Sequence, residues 1–213
     1  MWDFLVDRRE QFLVNAWNHV YLVILAVLFA TIIAIVLAVL VVRIPKLEPV
    51  ANAISAIGLT IPSMALIGLL LPLTKLGAGT ALVAVAFYAV FPILRNAVVG
   101  LRGVSPALLE SARGMGMSEA ATFFRIRLPL AWPVILSGIR VSVQMSMGVA
   151  AIAALVLGPG LGGWIYQGLM QNGSKNAIDR VLSATIGIVV LALILDALLL
   201  LLGRLTTSKG VRV

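Results

Sequence analysis

The sequence predicts an all-α membrane protein with five transmembrane helices, and three observations carry that class. Hydrophobic residues make up 62% of the 213 residues and charged residues only 11%, and the mean hydropathy of +1.12 lies outside the range of a water-soluble domain. The apolar residues gather in five runs, each long enough to supply the roughly 20 helical residues that cross a hydrocarbon core. The basic residues fall mostly in the short segments between those runs. Helix is required because a lone strand in lipid would leave its backbone groups unpaired.

The elements follow in chain order. Trp2, Leu5, Phe12, Leu13, Ala16 and Trp17 recur at roughly helical spacing among Asp3, Asp7, Arg8 and Glu10, which predicts an interfacial amphipathic helix over residues 1–19. Acidic residues precede the basic ones here and the apolar run is long, so a cleaved signal peptide is not expected. The first span is Val20 to Val42. The second, Val50 to Leu73, holds Asn52, Gly58, Thr60, Pro62 and Gly68, a mixture that predicts a kinked, bundle-facing helix. The third is Leu76 to Leu101.

Residues 102–131 form a polar island. Ser105 with Pro106, and Ser118 with Glu119, are start signals for two short helices broken at Gly116, and Leu128-Pro129 and Pro133 are expected to end the segment. Leu108, Met115, Phe123 and Phe124 stand among Arg102, Arg113, Arg125 and Arg127, and apolar residues on a charged loop predict a docking surface. The fourth span is Trp132 to Leu157, closed by the glycine-rich turn Gly158 to Gly163. The fifth is Val181 to Leu202. With no internal repeat or linker, residues 1–213 read as one domain.

Charge sets the orientation. Arg43, Lys46, Arg95, Arg102, Arg113, Arg125, Arg127, Arg204, Lys209 and Arg212 fall on one side; Arg8, Arg9, Lys75, Lys175 and Arg180 fall on the other. By the positive-inside rule the richer side is cytoplasmic, which places the amino terminus outside, the carboxyl terminus in the cytoplasm and the Glu110 loop on the cytoplasmic face. The excess of eight positive charges therefore reports topology and contact with anionic lipid, with no nucleic-acid partner expected.

Three ionisable residues fall within spans: Arg95, Arg140 and Asp196. Each lies about 9 to 12 Å from its cytoplasmic helix end at 1.5 Å per residue. An unpaired charge at that depth is costly, so Asp196 is expected to pair with Arg140 or Arg95; the alternative has both arginines snorkelling to the headgroups. After the glycine-rich turn, Trp164 and Tyr166 can form an outer gate or an ordinary interfacial pair. His19 is expected at the interface. No second histidine, no cysteine and no acidic cluster stands at metal-ligand spacing, so no metal is expected, and the serines lack an evident base, so no catalytic residue is assigned.

The pattern Glu110-Ser111-Ala112, Gly116, Ile126, Leu128-Pro129 resembles the cytoplasmic loop of permease subunits in bacterial ATP-binding-cassette (ABC) importers. Serine at 111 departs from the family's usual alanine but is also small. The resemblance implies the five-helix permease core shared with methionine importers and a plasma-membrane (inner-membrane) location. It also implies that Glu110 to Pro129 is a coupling helix seated on an ATPase. The implied partners are two ATPase subunits holding ATP and Mg²⁺, a second permease, identical or homologous, and an extracytoplasmic substrate-binding protein; this chain needs no cofactor and is not itself an enzyme. Phe91 to Asn96, Gly138-Ile139-Arg140 and Leu161-Gly162-Gly163 resemble the permeases for glycine betaine, choline and carnitine. The competing expectations are a permease for methionine or another small polar solute, an ATP-independent secondary transporter, and a scaffold subunit.

Overall fold

A computed structural model describes residues 1–171 and 173–207. Lys209 and Arg212, counted above on the basic side, lie outside the described residues. The described chain is helical throughout: α1 (Trp2–Asp7), α2 (Arg9–Arg43), α3 (Glu48–Thr60), α4 (Ser63–Thr74), α5 (Ala78–Arg102), α6 (Pro106–Gly114), α7 (Glu119–Thr122), α8 (Leu128–Ile152), α9 (Gly162–Met170) and α10 (Ala177–Thr206). Four helical stretches are long and apolar enough to cross a membrane, and a fifth crossing results if α3 and α4 together form one.

The core is the α2–α5–α8 triplet, in which α5 packs extensively on both α2 and α8. Small residues let their backbones approach. On α2, Ala26, Ala30, Ala34 and Ala38 recur every fourth residue and are fully buried, as are Ala81, Ala84, Ala89 and Ala97 on α5. Between α5 and α8 the fit is closer still: a Cβ added at Gly138 would stand 2.9 Å from the Pro92 carbonyl oxygen and 2.7 Å from the Asn96 Cβ. In the same seam, Ser142 Oγ donates to the Ala89 carbonyl at 2.7 Å, so the hydroxyl is spent on a helix contact.

Three boundaries differ from the sequence expectation. The separate amino-terminal helix ends at Asp7, and residues 9–19 run unbroken into the first span. Nothing between Arg9 and Val20 interrupts a helix, and Phe12, Ala16 and His19 face inward on the same stripe as the span below them. At 35 residues, α2 is about 52 Å long, well beyond a hydrocarbon core.

The second run is broken, not merely kinked: α3 and α4 meet at 96°. Ile61, preceding Pro62, is extended at ψ 125°, as a residue before proline prefers. Tyr88 Oη of α5 donates to the freed Ile61 carbonyl, and Thr60 Oγ1 to the Ile57 carbonyl. These bonds satisfy backbone groups that lipid could not.

Leu128-Pro129 does not stop the loop segment. A five-residue π turn, Phe123–Arg127, joins α7 to α8 without interruption. Pro129 is the second residue of α8, directly after that π turn, and so lies inside the continuous stretch and does not end it.

Candidate functional site

The segment between α5 and α8 folds as two short helices around Gly116. Ser105 is the N-cap residue of α6, with Pro106 in the first turn. Its carbonyl accepts from Leu108 N, while its side chain makes no capping bond. The end of α6 is closed by Met117 N donating to the Ala112 carbonyl and Gly116 N to the Arg113 carbonyl. Gly116 has φ +78°, the left-handed conformation that glycine adopts without penalty. Ser118 then caps α7, its Oγ accepting from Ala121 N at 3.2 Å.

The seven positions of the loop pattern divide by burial. Ala112 is fully buried and anchors α6. Glu110 and Ser111 are exposed, with Ser111 Oγ bonded back to the Ala107 carbonyl. Gly116 makes the bend. Ile126 and Leu128 are half-buried at the π turn and Pro129 is exposed. Leu108, Met115 and Phe124 project from this hairpin and are 49%, 73% and 66% exposed, so it presents an apolar surface beside a carboxylate. Arg127 Nε donates to the Leu101 carbonyl at 2.9 Å, fastening the hairpin's second arm to the end of α5.

Of the three intramembrane charges, the structure joins two. Arg140 on α8 and Asp196 on α10 form a two-pronged pair, Nε to Oδ1 at 2.8 Å and Nη2 to Oδ2 at 2.9 Å. This parallel fork is the strong geometry for a guanidinium and a carboxylate. Arg95 is exposed on α5 and lies outside that fork.

Of the two residues expected at an outer gate, Trp164 is buried. Its ring is 6% exposed, packed edge-on to Phe4 at 5.5 Å and tilted on Phe12 at 5.8 Å. That packing ties α9 to α1 and α2; Tyr166 remains exposed. The glycines before it serve close approach. Gly160, at φ +121°, would place a Cβ 2.6 Å from His19 Nδ1, and a Cβ at Gly162 would fall 2.1 Å from the Ala151 carbonyl oxygen. His19 is accordingly fully buried, not interfacial, with Nε2 3.1 Å from the Met147 carbonyl oxygen. Sequence reasoning missed this contact because its partners come from α8 and from the turn after it, more than a hundred residues away.

The chain matches other proteins along nearly its whole length. It is 34% identical over 210 residues to the choline transport system permease protein OpuBB of Bacillus subtilis, covering 99% of this chain and 95% of that one. It is 37% identical to the osmoprotectant import permease protein OsmW of Salmonella typhimurium, covering 98% of each. Among solved structures, the inward-facing MetNI methionine ABC transporter superposes with a TM-score of 0.79 at 21% identity, covering 92% of this chain and 96% of that one, a likeness of fold. The family model "Binding-protein-dependent transport system inner membrane component" matches residues 26–208. The chain belongs to that family of inner-membrane permease subunits of ABC importers.

Proposed function

We propose that this permease forms half of an ATP-driven import path for a quaternary ammonium compatible solute of the glycine betaine, choline and carnitine class. Its relatives at 34% to 37% identity over almost the full chain carry choline and osmoprotectants in their names, and this supports the solute class. A second permease, identical or homologous, completes the path; two ATPase subunits hold ATP and Mg²⁺; a binding protein delivers the solute from outside. The charge asymmetry supports an amino terminus outside and a cytoplasmic Glu110 hairpin.

The observation that carries the coupling role is the hairpin itself: a glycine-hinged pair of helices with Leu108, Met115 and Phe124 exposed beside Glu110. ATP-driven closure of the two ATPases moves the paired hairpins, and the spans rock from inward- to outward-open. Such coupling requires contacts that differ between the two states, which a rigid helix in a moving groove supplies. A methionine permease is the competing reading, but the likeness to the methionine transporter is one of fold.

The test is purification from the native membrane followed by reconstitution. An ATPase should accompany the chain, and its hydrolysis should rise when binding protein loaded with glycine betaine or choline is added. Uptake by this chain with no ATPase present would refute the motor. Stimulation by methionine-loaded but not osmoprotectant-loaded binding protein would refute the solute class.

A further inference from the structure

Behind the hairpin lies a cavity of about 250 Å³, lined by residues of α2, α5, α6, α7 and the π turn. Val39, Val42 and Phe123 give it apolar lining, and Arg43, Arg113 and Arg127 share it with Glu119, the single carboxylate among the lining residues. That carboxylate is poorly engaged. Its nearest approach to Arg43 is 3.8 Å, too long for a hydrogen bond. Arg127 uses Nε on the Leu101 carbonyl, which leaves its two terminal nitrogens for a ligand. Burial first, and then the charges of Arg113 and Arg102, hold its guanidinium below the usual pKa. Three guanidiniums line one small space with a single carboxylate among them, and their planar forks match phosphate oxygens.

The apolar lining narrows the choice of anion. The cavity sits where the apolar stretches of α2 and α5 end in Arg43 and Arg102, the level at which a bilayer changes from acyl chain to headgroup. A freely soluble anion gains nothing from Val39, Val42 and Phe123, whereas an amphiphile gains from the apolar and the basic lining together. We infer that this cavity binds the phosphate group of an anionic phospholipid headgroup of the phosphatidylglycerol kind. A lipid held there would touch the spans and the hairpin together; that consequence rests on the coupling reading, whereas the binding site does not.

The test measures binding directly. The purified permease, with any subunits that accompany it, is placed in nanodiscs of phosphatidylcholine containing increasing phosphatidylglycerol, and retained lipid is counted by native mass spectrometry. The wild type should hold phosphatidylglycerol in preference to phosphatidylcholine. Each lost arginine should weaken that preference about fivefold, from the ~1 kcal/mol a basic residue contributes near an anionic surface. The exposed pair R43Q/R113Q is the main variant, since neither side chain is part of the core, and R43K/R113K should recover most of the loss. Equal retention of the two lipids, or R43Q/R113Q indistinguishable from wild type, overturns the site. A second arm offers inorganic phosphate to the lipid-stripped complex in detergent. Tight phosphate retention without any phosphatidylglycerol preference overturns the lipid as source.

Discussion

Breaking the Arg140–Asp196 fork should destabilise the protein far more than removing it whole. Asp196 is 17% and Arg140 30% exposed at the side chain, so most of each charge is shielded. Stripping one partner from a fully buried pair costs about 3–5 kcal/mol. In D196N the stranded Arg140 keeps enough access to snorkel, and in R140Q the stranded Asp196 carboxyl can neutralise by taking a proton, so about 2 kcal/mol is expected for either alone. In the double variant neither charge remains, and amide can still face amide, so about 1 kcal/mol is expected, because replacing both partners of an ion pair with neutral groups is often nearly neutral. The double should therefore fall about 3 kcal/mol short of additivity. Denaturation by SDS in mixed micelles, followed by helical circular dichroism, measures all three variants. Losses that add within about 0.5 kcal/mol would show that the fork contributes nothing to joining α8 and α10.

Three further outcomes follow from single contacts. G116V should impair coupling without a steric clash: nothing lies within 4 Å of a Cβ there, but φ is +78°, so the cost of about 1–2 kcal/mol is conformational. It should appear as weaker ATPase association, and normal uptake would count against the hinge. G138A should lower thermal stability, by about 1–3 kcal/mol of overpacking, because its methyl group would meet the Pro92 carbonyl and Asn96; an unchanged melting temperature would refute the tight α5–α8 seam. Y88F should cost about 1 kcal/mol by freeing the Ile61 carbonyl, read as faster proteolysis at the α3–α4 break, and unaltered cleavage would show that water or another donor satisfies it.

What the sequence makes legible follows from how local the signal is. Ser105, Pro106, Gly116, Ser118 and Glu119 act within one or two turns of themselves, so the starts of α6 and α7 and the hinge between them can be read directly. Pro129 shows the limit: a proline marks either the end of one helix or the first turn of the next, and only the continuity through Phe123–Arg127 decides. Asp196 could be matched by depth with two arginines, but depth along an axis does not specify which helix stands beside it. Trp164 and His19 were least legible. An aromatic or histidine near a span end looks interfacial until α1, α8 and the glycine turn are folded over it.

The π turn gives the hairpin a particular mechanical character. One arm, α6, is joined to its neighbours through Gly116 and the segment after α5, and is held by the buried Ala112. The other arm, α7, continues through Phe123–Arg127 into α8, and Arg127 fastens it to the last carbonyls of α5. A push on α7 is therefore delivered along the α8 axis and across to α5. Those two helices are locked by Gly138 and Ser142, so they must move as one body. The Arg140–Asp196 fork sits on that same body and extends it to α10. The α3–α4 pair touches it less extensively and bends by 96°. If the spans rock as proposed, displacement should concentrate at Ile61-Pro62 and Gly116, while the α5–α8 seam keeps its spacing. Spin labels across that seam that change separation on ATP addition would contradict this division of labour.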